Sequence, residues 1–335
     1  MNDTNPEAQV MPIIMGLMTS SAVFALARLG VPDHLESGPK SVEELSETVG
    51  AQPELLSRLM RATEGMGVLE RTSDGKWRQT PMSDVLRTHS EKSLRDLAVF
   101  MADDWHVRAF GSLDETVRTG ELATDRIYGE PAFEYLRKNP EAGEHFNRAM
   151  ASFTATDAPA VIDAYDFKGI ESLTDVGGGH GLLLTTILQK YPGMTGILYD
   201  LPQVIRTAEQ HLAESVRDRV KMIEGDMFES VPPGADAYIV KRIIHDWSDD
   251  QCKQILTNCR SGVRENGRLI VVDAVVPMDA QFSPAKIMDL AMMLFVGGKE
   301  RTKDEFRALF EASGWKLSQV IPTASQLSVI EGVPI

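Results

Sequence analysis

The chain has 335 residues, of which 43% are hydrophobic and 25% are charged, as in ordinary globular proteins. This length predicts about two domains. Acidic residues outnumber basic ones by 49 to 34, and the net charge of -15 argues against nucleic acid as a partner, because phosphate binding requires a basic face. The only two cysteines cannot form a disulfide framework, which favours a cytoplasmic protein.

An uncharged segment, residues 8–27, lies near the N-terminus and is long enough to cross a membrane. It contains Pro12 and Gly16, and no Lys or Arg precedes it, whereas a signal peptide begins with a basic region. We therefore predict no membrane association. We interpret the segment as an apolar helix that packs on another subunit or on the body of the protein.

Residues 22–80 have the pattern of a small helical domain. Ser41 and Glu44 predict a capping box for a helix that ends at Gly50. Pro53 opens the next helix. Spacing predicts that this helix buries one face, made of Leu55, Leu59, Ala62 and Met66.

The sequence Ser73-Asp74-Gly75 lies between two short extended segments and predicts a hairpin turn. Three helices followed by a hairpin suggest a winged helix, so a regulator that binds DNA has to be weighed. Acidic residues outnumber basic ones within residues 1–100, and the helix that would recognise DNA carries Glu54 and Glu64. A role in dimerisation is therefore the better interpretation.

Residues 90–165 are predicted to be helical and rich in large apolar side chains, most of them core and a few able to line a pocket for a flat substrate. From residue 170 onward, strands and helices alternate, which predicts a parallel sheet covered on both faces. The predicted strands are 172–176, 196–199, 220–224, 237–241 and 268–273, followed by two terminal strands, 316–321 and 326–330.

A glycine run, Gly177-Gly178-Gly179, follows the first strand of the predicted sheet and precedes a helix. Glycines at this place permit a tight turn and let a ligand approach the backbone. The spacing is neither the dinucleotide fingerprint nor a Walker loop. The run therefore predicts a nucleotide-like ligand that is not held by these phosphate-binding motifs.

Polar residues end the following strands. Asp200 suits the two hydroxyls of a ribose, Asp226 suits an adenine amino group with Met227 and Phe228 beside it, and Lys241 ends the fourth strand. No Lys-Ser/Thr pair or arginine cluster surrounds the glycine run, as a phosphate would require. The sequence thus predicts an adenosine compound without phosphates, and S-adenosylmethionine fits this description.

His245 follows the fourth strand at the same edge of the sheet. An imidazole with the ordinary pKa of about 6.5 is a suitable base for a hydroxyl proton. Asp273 ends the fifth strand, and Glu300 lies in a later loop; a carboxylate bonded to the imidazole fixes its tautomer and stabilises its cation. We predict a catalytic group of these three residues, with a helix-capping or core histidine as the alternative.

Five motifs occur in order along nearly the whole chain. They are Gly177-Gly178-Gly179, Tyr199-Asp200-Leu201-Pro202, Gly225-Asp226-Met227-Phe228, His245-Asp246-Trp247-Ser248-Asp249 and Gly297-Gly298-Lys299-Glu300-Arg301-Thr302. In this order they resemble the small-molecule O-methyltransferases that use S-adenosylmethionine. The plant caffeic acid and isoflavone enzymes, and bacterial relatives in antibiotic and phenazine biosynthesis, typify that family.

The resemblance implies an α/β protein, with a Rossmann-like methyltransferase domain around a mostly parallel seven-stranded sheet and an N-terminal winged-helix dimerisation domain. We expect dimerisation over residues 1–95, a helical linker that contributes to the substrate pocket over 96–165, and catalysis over 166–335. The family implies a cytoplasmic homodimer in secondary metabolism. It also implies a small aromatic hydroxyl substrate, S-adenosylmethionine converted to S-adenosylhomocysteine, and no metal.

The resemblance also assigns residues. The cofactor would contact Gly177, Gly179, Asp200, Asp226, Met227, Phe228 and Lys241. Met150 and Met292 align with methionines that clamp the acceptor ring in the plant enzymes, and we expect Met101, Phe146, Asp246 and Phe295 at the acceptor site too. Asp273 stands where the plant enzymes have a glutamate, and Leu136 and Phe153 replace polar acceptor-recognising residues. These departures predict a flat, apolar acceptor that is not the plant phenylpropanoid.

We therefore predict an O-methyltransferase that acts on an aromatic or polyketide-like hydroxyl, with His245 as general base. The alternative within the family is a member that binds the cofactor but catalyses hydroxylation, decarboxylation or pericyclic ring closure. The set of His245, Asp273 and Glu300 favours methyl transfer. N- or C-methylation on the same scaffold stays open.

Overall fold

The computed structural model describes residues 5–90 and 92–335, which divide into two compact units. The first, here called the helical unit, contains Met1–Gly111 and Leu136–Ser152. The second, here called the sheet unit, contains Ser112–Tyr135 and Phe153–Ile335. Each unit has its own buried core.

The helical unit is built mainly from short helices and one hairpin. Its elements are α1 (Pro6–Ile14), α2 (Gly16–Arg28), α3 (Val31–His34), α4 (Val42–Val49), α5 (Pro53–Gly65), β1 (Leu69–Arg71), β2 (Trp77–Gln79), α6 (Pro81–Asp84), α7 (Arg95–Met101) and α8 (Asp104–Phe110). Helices α11 (Ala132–Lys138) and α12 (Pro140–Ala164) contribute residues to both units.

The local signals of the helical unit act as the sequence predicts. The Ser41 hydroxyl accepts from the Glu44 N–H, and the Glu44 carboxylate accepts from the Ser41 N–H, which completes the capping box of α4. Gly50 ends that helix with a φ of 67°. Strands β1 and β2 pair antiparallel around Gly75, whose φ is 83°.

The predicted buried face of α5 is only partly confirmed: Leu59 and Met66 are half-buried and pack against the core, but the centre of the buried face lies one position further on. Leu56, Met60 and Thr63 are buried, whereas Leu55 is 57% exposed and Ala62 is exposed. Both faces carry apolar residues at helical spacing, so periodicity alone does not decide between them. Packing against α2 and α4 selects the face with Leu56 and Met60.

The N-terminal helices expose most of their apolar side chains. Ile13, Leu17 and Met18 are each more than 60% exposed, and only Leu26 and Ala27 at the end of α2 are buried. By length and composition alone, the segment Pro6–Arg28 is also long and apolar enough to cross a membrane.

The sheet unit alternates strands and helices. Its elements are α9 (Leu113–Thr119), α10 (Ala123–Tyr128), β3 (Ser172–Val176), α13 (Leu182–Lys190), β4 (Thr195–Asp200), α14 (Pro202–Ala208), β5 (Val220–Glu224), β6 (Ala237–Lys241), α15 (Asp249–Gly262), β7 (Arg268–Asp273), α16 (Pro284–Phe295), α17 (Lys303–Ala312), β8 (Trp315–Pro322) and β9 (Ser328–Pro334). Two 3-10 helices, Glu214–Arg219 and Ile244–Asp246, lie between them.

The seven strands lie in the order β5-β4-β3-β6-β7-β9-β8, and all neighbouring pairs are parallel except those that β9 makes. Alternate residues of each strand enter two separate buried clusters, so both faces of the sheet are covered. The predicted bounds of β3, β5, β6 and β7 agree with the structure.

The parallel strands bring their carboxyl ends to one edge of the sheet, here called the functional edge. Asp200, Lys241 and Asp273 are the last residues of β4, β6 and β7, and Asp175 is the last but one of β3. In open α/β sheets, ligands bind at this edge.

Candidate active site

The glycine run forms a tight loop that is tied to β4. Gly177 and Gly179 have φ values of 68° and 59°, a region that side chains other than glycine rarely adopt. The Gly177 N–H donates to the Tyr199 carbonyl at 2.8 Å, and the Gly179 N–H donates to Oδ2 of Asp200 at 2.8 Å. A side chain at Gly178 would collide with the carboxylate of Asp175. The loop therefore presents backbone between two acids.

Asp175 is buried beside this loop, and its Oδ2 has no hydrogen-bond partner in the described part of the chain. Burial raises the pKa of this carboxyl to about 7, although the positive charge of Lys241 opposes the shift. An unpaired buried acid is costly unless a ligand satisfies it. With the ribose-type acid Asp200 next to it, this arrangement fits a cationic adenosine compound such as S-adenosylmethionine.

The segment after β5 is held by α15. Asp226 accepts the N–H of Phe228 at 2.8 Å, and Asn258 donates to the carbonyls of Met227 and Phe228 at 2.8 and 3.1 Å. The ring of Phe228 meets Trp247 edge to face, with centroids 4.9 Å apart. Asn258 could not be predicted as a contact of this segment, because an amide in an amphipathic helix gives no local signal of the group it binds.

Lys241 is half-buried at the end of β6, and its Nζ donates to Oγ1 of Thr154 at 3.0 Å. Burial lowers the pKa of this amine to about 8, helped by the neighbouring charge of Arg242. The ammonium group of Lys241 therefore loses its proton more readily than that of an ordinary lysine. Such a group can act as a hydrogen-bond donor to a ligand there.

Arg242 is the one described residue other than glycine with a positive φ, 52°. Its Nε donates to Asp157 at 3.0 Å, and its guanidinium lies 4.7 Å from the ring centroid of Phe153. A strained residue persists only where its surroundings impose the conformation, and such residues concentrate at functional sites. Neither this pair nor its strain was visible in the sequence pattern.

His245 lies in the 3-10 helix that follows β6 and is buried. Its Nδ1–H donates to Oε1 of Glu300 at 2.8 Å, since a carboxylate can only accept. Its Nδ1 is 3.9 Å from Oδ1 of Asp273, beyond hydrogen-bond distance, and its Nε2 is 3.5 Å from Oδ1 of Asp246. The tautomer fixed by Glu300 leaves Nε2 to accept a proton.

The electrostatics of this group differ from the ordinary imidazole that the sequence analysis assumed. Burial alone would lower the pKa of His245, but the carboxylates of Asp246, Asp273 and Glu300 outweigh it and raise the pKa to about 9. Burial also raises the pKa of Asp273, against the attraction of His245. The imidazole is therefore a stronger base than a free histidine.

Asp273 and Glu300 are both buried, and neither has its full set of partners. Both oxygens of Asp273 and Oε2 of Glu300 have no hydrogen-bond donor among the described residues. The backbone N–H of Glu300 donates to Asp289 at 2.8 Å, which fixes the loop that carries it. Glu300 thus holds His245 directly, and Asp273 acts on it through charge.

The predicted acceptor residues are distributed over both units. Met101 on α7 and Phe146 and Met150 on α12 belong to the helical unit, where each is half-buried. Met292 and Phe295 lie on α16 of the sheet unit, and Phe295 is buried. Of these six predicted residues, Asp246 is the one placed beside His245.

Two sequence families match this chain. Residues 11–89 match an O-methyltransferase dimerisation domain, and residues 110–316 match an O-methyltransferase domain. Together they span most of the chain and include the glycine run, the His245 segment and Glu300.

Individual proteins agree with these matches. The chain is 39% identical to a phenazine O-methyltransferase from Lysobacter antibioticus, over 97% of this chain and 96% of the relative. It is 31% identical to an 8-amino-8-demethylriboflavin N,N-dimethyltransferase from Streptomyces davaonensis, over 94% and 92%. A crystal structure of CalO1, a methyltransferase in calicheamicin biosynthesis with bound S-adenosylhomocysteine, superposes with a TM-score of 0.91 at 32% identity, covering all of both chains.

The fold and the functional edge define a Rossmann-like methyltransferase. The chain belongs to the S-adenosylmethionine-dependent O-methyltransferase family, with an N-terminal dimerisation domain. Its cofactor is S-adenosylmethionine. Among the described residues, no group of three or more His, Cys, Asp or Glu is arranged to hold a metal ion.

Proposed function

We propose that the protein transfers a methyl group from S-adenosylmethionine to a hydroxyl of an aromatic or polyketide-like small molecule, with His245 as general base. The observation that carries this proposal is the bond from Nδ1 of His245 to Glu300. In the neutral imidazole it fixes the tautomer in which Nε2 can take the proton of a hydroxyl, and with a pKa of about 9 this neutral form increases as the pH rises.

The cofactor would be held at the functional edge. Gly177 and Gly179 let it approach the backbone, Asp200 would bind the ribose hydroxyls, and Asp226 would bind the adenine amino group. Met227, Phe228 and Lys241 would complete the adenine side of the site. When bound, S-adenosylmethionine supplies an electrophilic methyl group for the acceptor oxygen.

His245 would take up the proton that the acceptor hydroxyl loses, and the carboxylates around it would stabilise the product. The hydroxyl proton passes to Nε2, and the carboxylates of Glu300 and Asp273 stabilise the imidazolium that forms. A phenolic hydroxyl has a pKa near 10, close to the value of about 9 for His245. Proton transfer from a phenol is therefore nearly balanced, which favours an aromatic hydroxyl over an aliphatic alcohol.

The proposed acceptor contacts are those that the family resemblance assigns. We propose Met101, Phe146, Met150, Met292 and Phe295 as its apolar contacts, and Asp246 as a polar contact beside the base. This largely apolar set fits a flat ring system. Phenazine, which is in the name of the relative from Lysobacter antibioticus, is a ring system of this kind.

The assembly and setting follow from the family. We propose a cytoplasmic homodimer in secondary metabolism, joined through the dimerisation domain and through the exposed apolar side chains of α1 and α2. We further propose the division into a dimerisation domain (1–95), a substrate-binding helical linker (96–165) and a catalytic domain (166–335).

A nitrogen acceptor is the second candidate, because one relative is an N,N-dimethyltransferase. A neutral amine can be methylated before it loses its proton, so it does not need a strong base. The buried carboxylates that raise the pKa of His245 therefore favour the hydroxyl.

The test is methyl transfer from labelled S-adenosylmethionine to matched aromatic acceptors, each supplied with a hydroxyl, an amine or neither at the same ring position. We expect label on the hydroxyl compounds and formation of S-adenosylhomocysteine in equal amount. Transfer to the amines alone would replace the proposal with N-methylation. Binding of the cofactor with no transfer to any acceptor would favour a non-methylating reaction.

A further inference from the structure

Arg301 follows Glu300 in the loop between α16 and α17 and is almost completely buried, with 1% exposure. A guanidinium always carries its charge, so burial is costly unless its five N–H donors find acceptors. The groups that accept hydrogen bonds from Arg301 show which parts of the chain it holds in place.

The guanidinium bridges the backbone on the two sides of His245. Nη1 donates to the Ile244 carbonyl at 2.7 Å, and Nη2 donates to the Trp247 carbonyl at 3.0 Å. Nε and Nη2 also donate to Oδ1 of Asp249, at 3.0 and 2.8 Å, where α15 begins. One side chain thus fixes the backbone from residue 244 to the start of α15.

The backbone of the same loop packs directly on this segment at Gly298. A Cβ at Gly298 would overlap the His245 carbonyl oxygen and lie 2.5 Å from the carbonyl carbon of Asp246. Close approach of two backbones requires glycine. The loop of Glu300 and the segment of His245 are therefore joined by main-chain packing as well as by the arginine.

Cys252 lies beneath this bridge. Its thiol donates to the Ile244 carbonyl at 3.1 Å and lies 3.4 Å from Nη2 of Arg301. The thiol is buried, and burial raises its pKa to about 12. Its reactivity therefore reports whether the bridge is closed.

We propose that Arg301 is a positioning residue, whose bridge keeps the imidazole of His245 in contact with the carboxylate of Glu300. The consequence for catalysis rests on the proposed role of His245 as base. Arg301 is adjacent to Glu300 in the chain and is bonded to the backbone on both sides of His245. Its guanidinium therefore positions both the donor, His245, and the acceptor, Glu300, of the Nδ1 hydrogen bond. Lysine cannot replace it, since a single ammonium does not have the planar fork that reaches both carbonyls.

The test compares Arg301→Lys with Arg219→Lys in the full-length protein. Arg219 is a matched control, because its guanidinium donates to the carbonyls of Leu188, Tyr191 and Met194 and contacts no residue of the His245 segment. Asp249→Asn is a milder variant, since this partly exposed carboxylate accepts two of the bonds from Arg301.

The first readout is a 15N NMR titration of the His245 ring without ligand, which needs no turnover. We expect Arg301→Lys and Asp249→Asn to lower the pKa of His245 from about 9 toward the ordinary value of about 6.5. Greater exposure of the imidazole would by itself raise its pKa. The loss of contact with the carboxylates lowers the pKa and has the larger effect. Labelling by N-ethylmaleimide, mapped to Cys252 by mass spectrometry, should accelerate in the same variants.

The second readout is kinetic. We expect Arg301→Lys to lower kcat by about 10- to 100-fold through misplacement of the base, with the KM for S-adenosylmethionine little changed. A folded Arg301→Lys protein with unaltered His245 pKa and unaltered Cys252 labelling overturns the proposal, and so does an equal effect of Arg219→Lys. A shifted pKa with undiminished turnover supports the bridge but contradicts the base role of His245.

Discussion

Buried or half-buried acids lie at both ends of the parallel strands. Those at one end accept several hydrogen bonds from the protein, whereas those at the functional edge have oxygens that accept none. At the edge remote from the glycine run, Asp236 accepts from the Glu171 and Ser172 N–H groups at 3.0 and 2.9 Å, from the Ser172 hydroxyl and from Arg264. Glu331 is bonded there to Tyr165 and Ser318. At the functional edge, oxygens of Asp175, Asp273 and Glu300 have no protein donor among the described residues.

This difference supports the proposed separation between acids that stabilise the fold and acids that act at the active site. Burial opposes ionisation at both edges, but the bonds from Ser172 outweigh it and lower the pKa of Asp236, whereas burial prevails at Asp175 and raises its pKa. Buried polar groups are normally satisfied. Those left unsatisfied at the functional edge therefore support the proposed active site there.

The largest effect should come from removing the base at the functional edge. We expect His245→Ala to lower kcat/KM for a hydroxyl acceptor by roughly 10²- to 10⁴-fold, the usual contribution of a positioned base. Cofactor affinity should change little, which calorimetry with S-adenosylhomocysteine checks. Retention of wild-type turnover at all pH values would refute the assignment of His245.

A smaller loss should follow when the orienting carboxylate is neutralised. A hydrogen bond to a charged group contributes about 1.5–3 kcal/mol, so we expect Glu300→Gln to lower kcat/KM by roughly 10- to 100-fold. The pKa of His245 should also fall, because one of its carboxylate partners is lost. The control is Glu44→Gln, the same change of side chain in the capping box of α4 in the helical unit; an equal loss in that variant would point to general destabilisation.

Much of this comparison could be predicted from the sequence. The motifs placed Asp200, Asp226, Lys241 and Asp273 at one edge, since parallel strands that alternate with helices share the direction of their carboxyl ends. The capping box of Ser41 and Glu44 depends on residues three positions apart, so local spacing also sufficed for it.

The rest depends on contacts between residues distant in sequence. The two carbonyls that Asn258 reaches lie 31 and 30 residues away, and the partners of Arg301 around His245 lie 49 to 57 residues away, so neither shows a local signal. The buried face of α5 was only partly predicted, because apolar residues lie on both of its faces. The raised pKa of His245 depends on three carboxylates that only the fold assembles.

Asp175 should show the conflict between stability and function most clearly. Its folded pKa is about 7, above the ordinary value of about 3.9, so its contribution to stability is present in acid and is lost as the pH rises toward and past 7. We therefore expect Asp175→Asn to melt at a higher temperature than the wild type at pH 8, with a smaller gain at pH 5. Calorimetric scans of the ligand-free protein measure both.

Asp175→Asn should also weaken the binding of S-adenosylmethionine. Because the amide cannot attract a cation as the carboxylate does, we expect the Kd for S-adenosylmethionine to rise by about tenfold, near 1.4 kcal/mol. A variant that is stabilised yet binds the cofactor as tightly as the wild type would show that Asp175 does not serve the ligand.

At the opposite edge the effects should be confined to stability. Asp236→Ala leaves the N–H groups of Glu171 and Ser172 without their acceptor, which should cost about 1–3 kcal/mol at neutral pH. Because the folded pKa of Asp236 is lowered, the contribution of its ionised form is present at neutral pH and is lost as the pH falls below about 4. Urea denaturation at pH 7 and pH 3 tests this, and a large change in kcat would contradict a role for Asp236 in stability alone.

The central claim is that His245, made more basic by its carboxylates, takes the acceptor proton. The pH dependence of kcat/KM tests it most directly, because this ratio reports the pKa of the base in the free enzyme. With an acceptor that does not itself titrate in the range studied, we predict that kcat/KM rises with pH to a plateau, with an apparent pKa near 9 that matches an NMR titration of His245. A kinetic pKa that differs from the titrated one, or a profile identical to that of His245→Ala, would contradict the account.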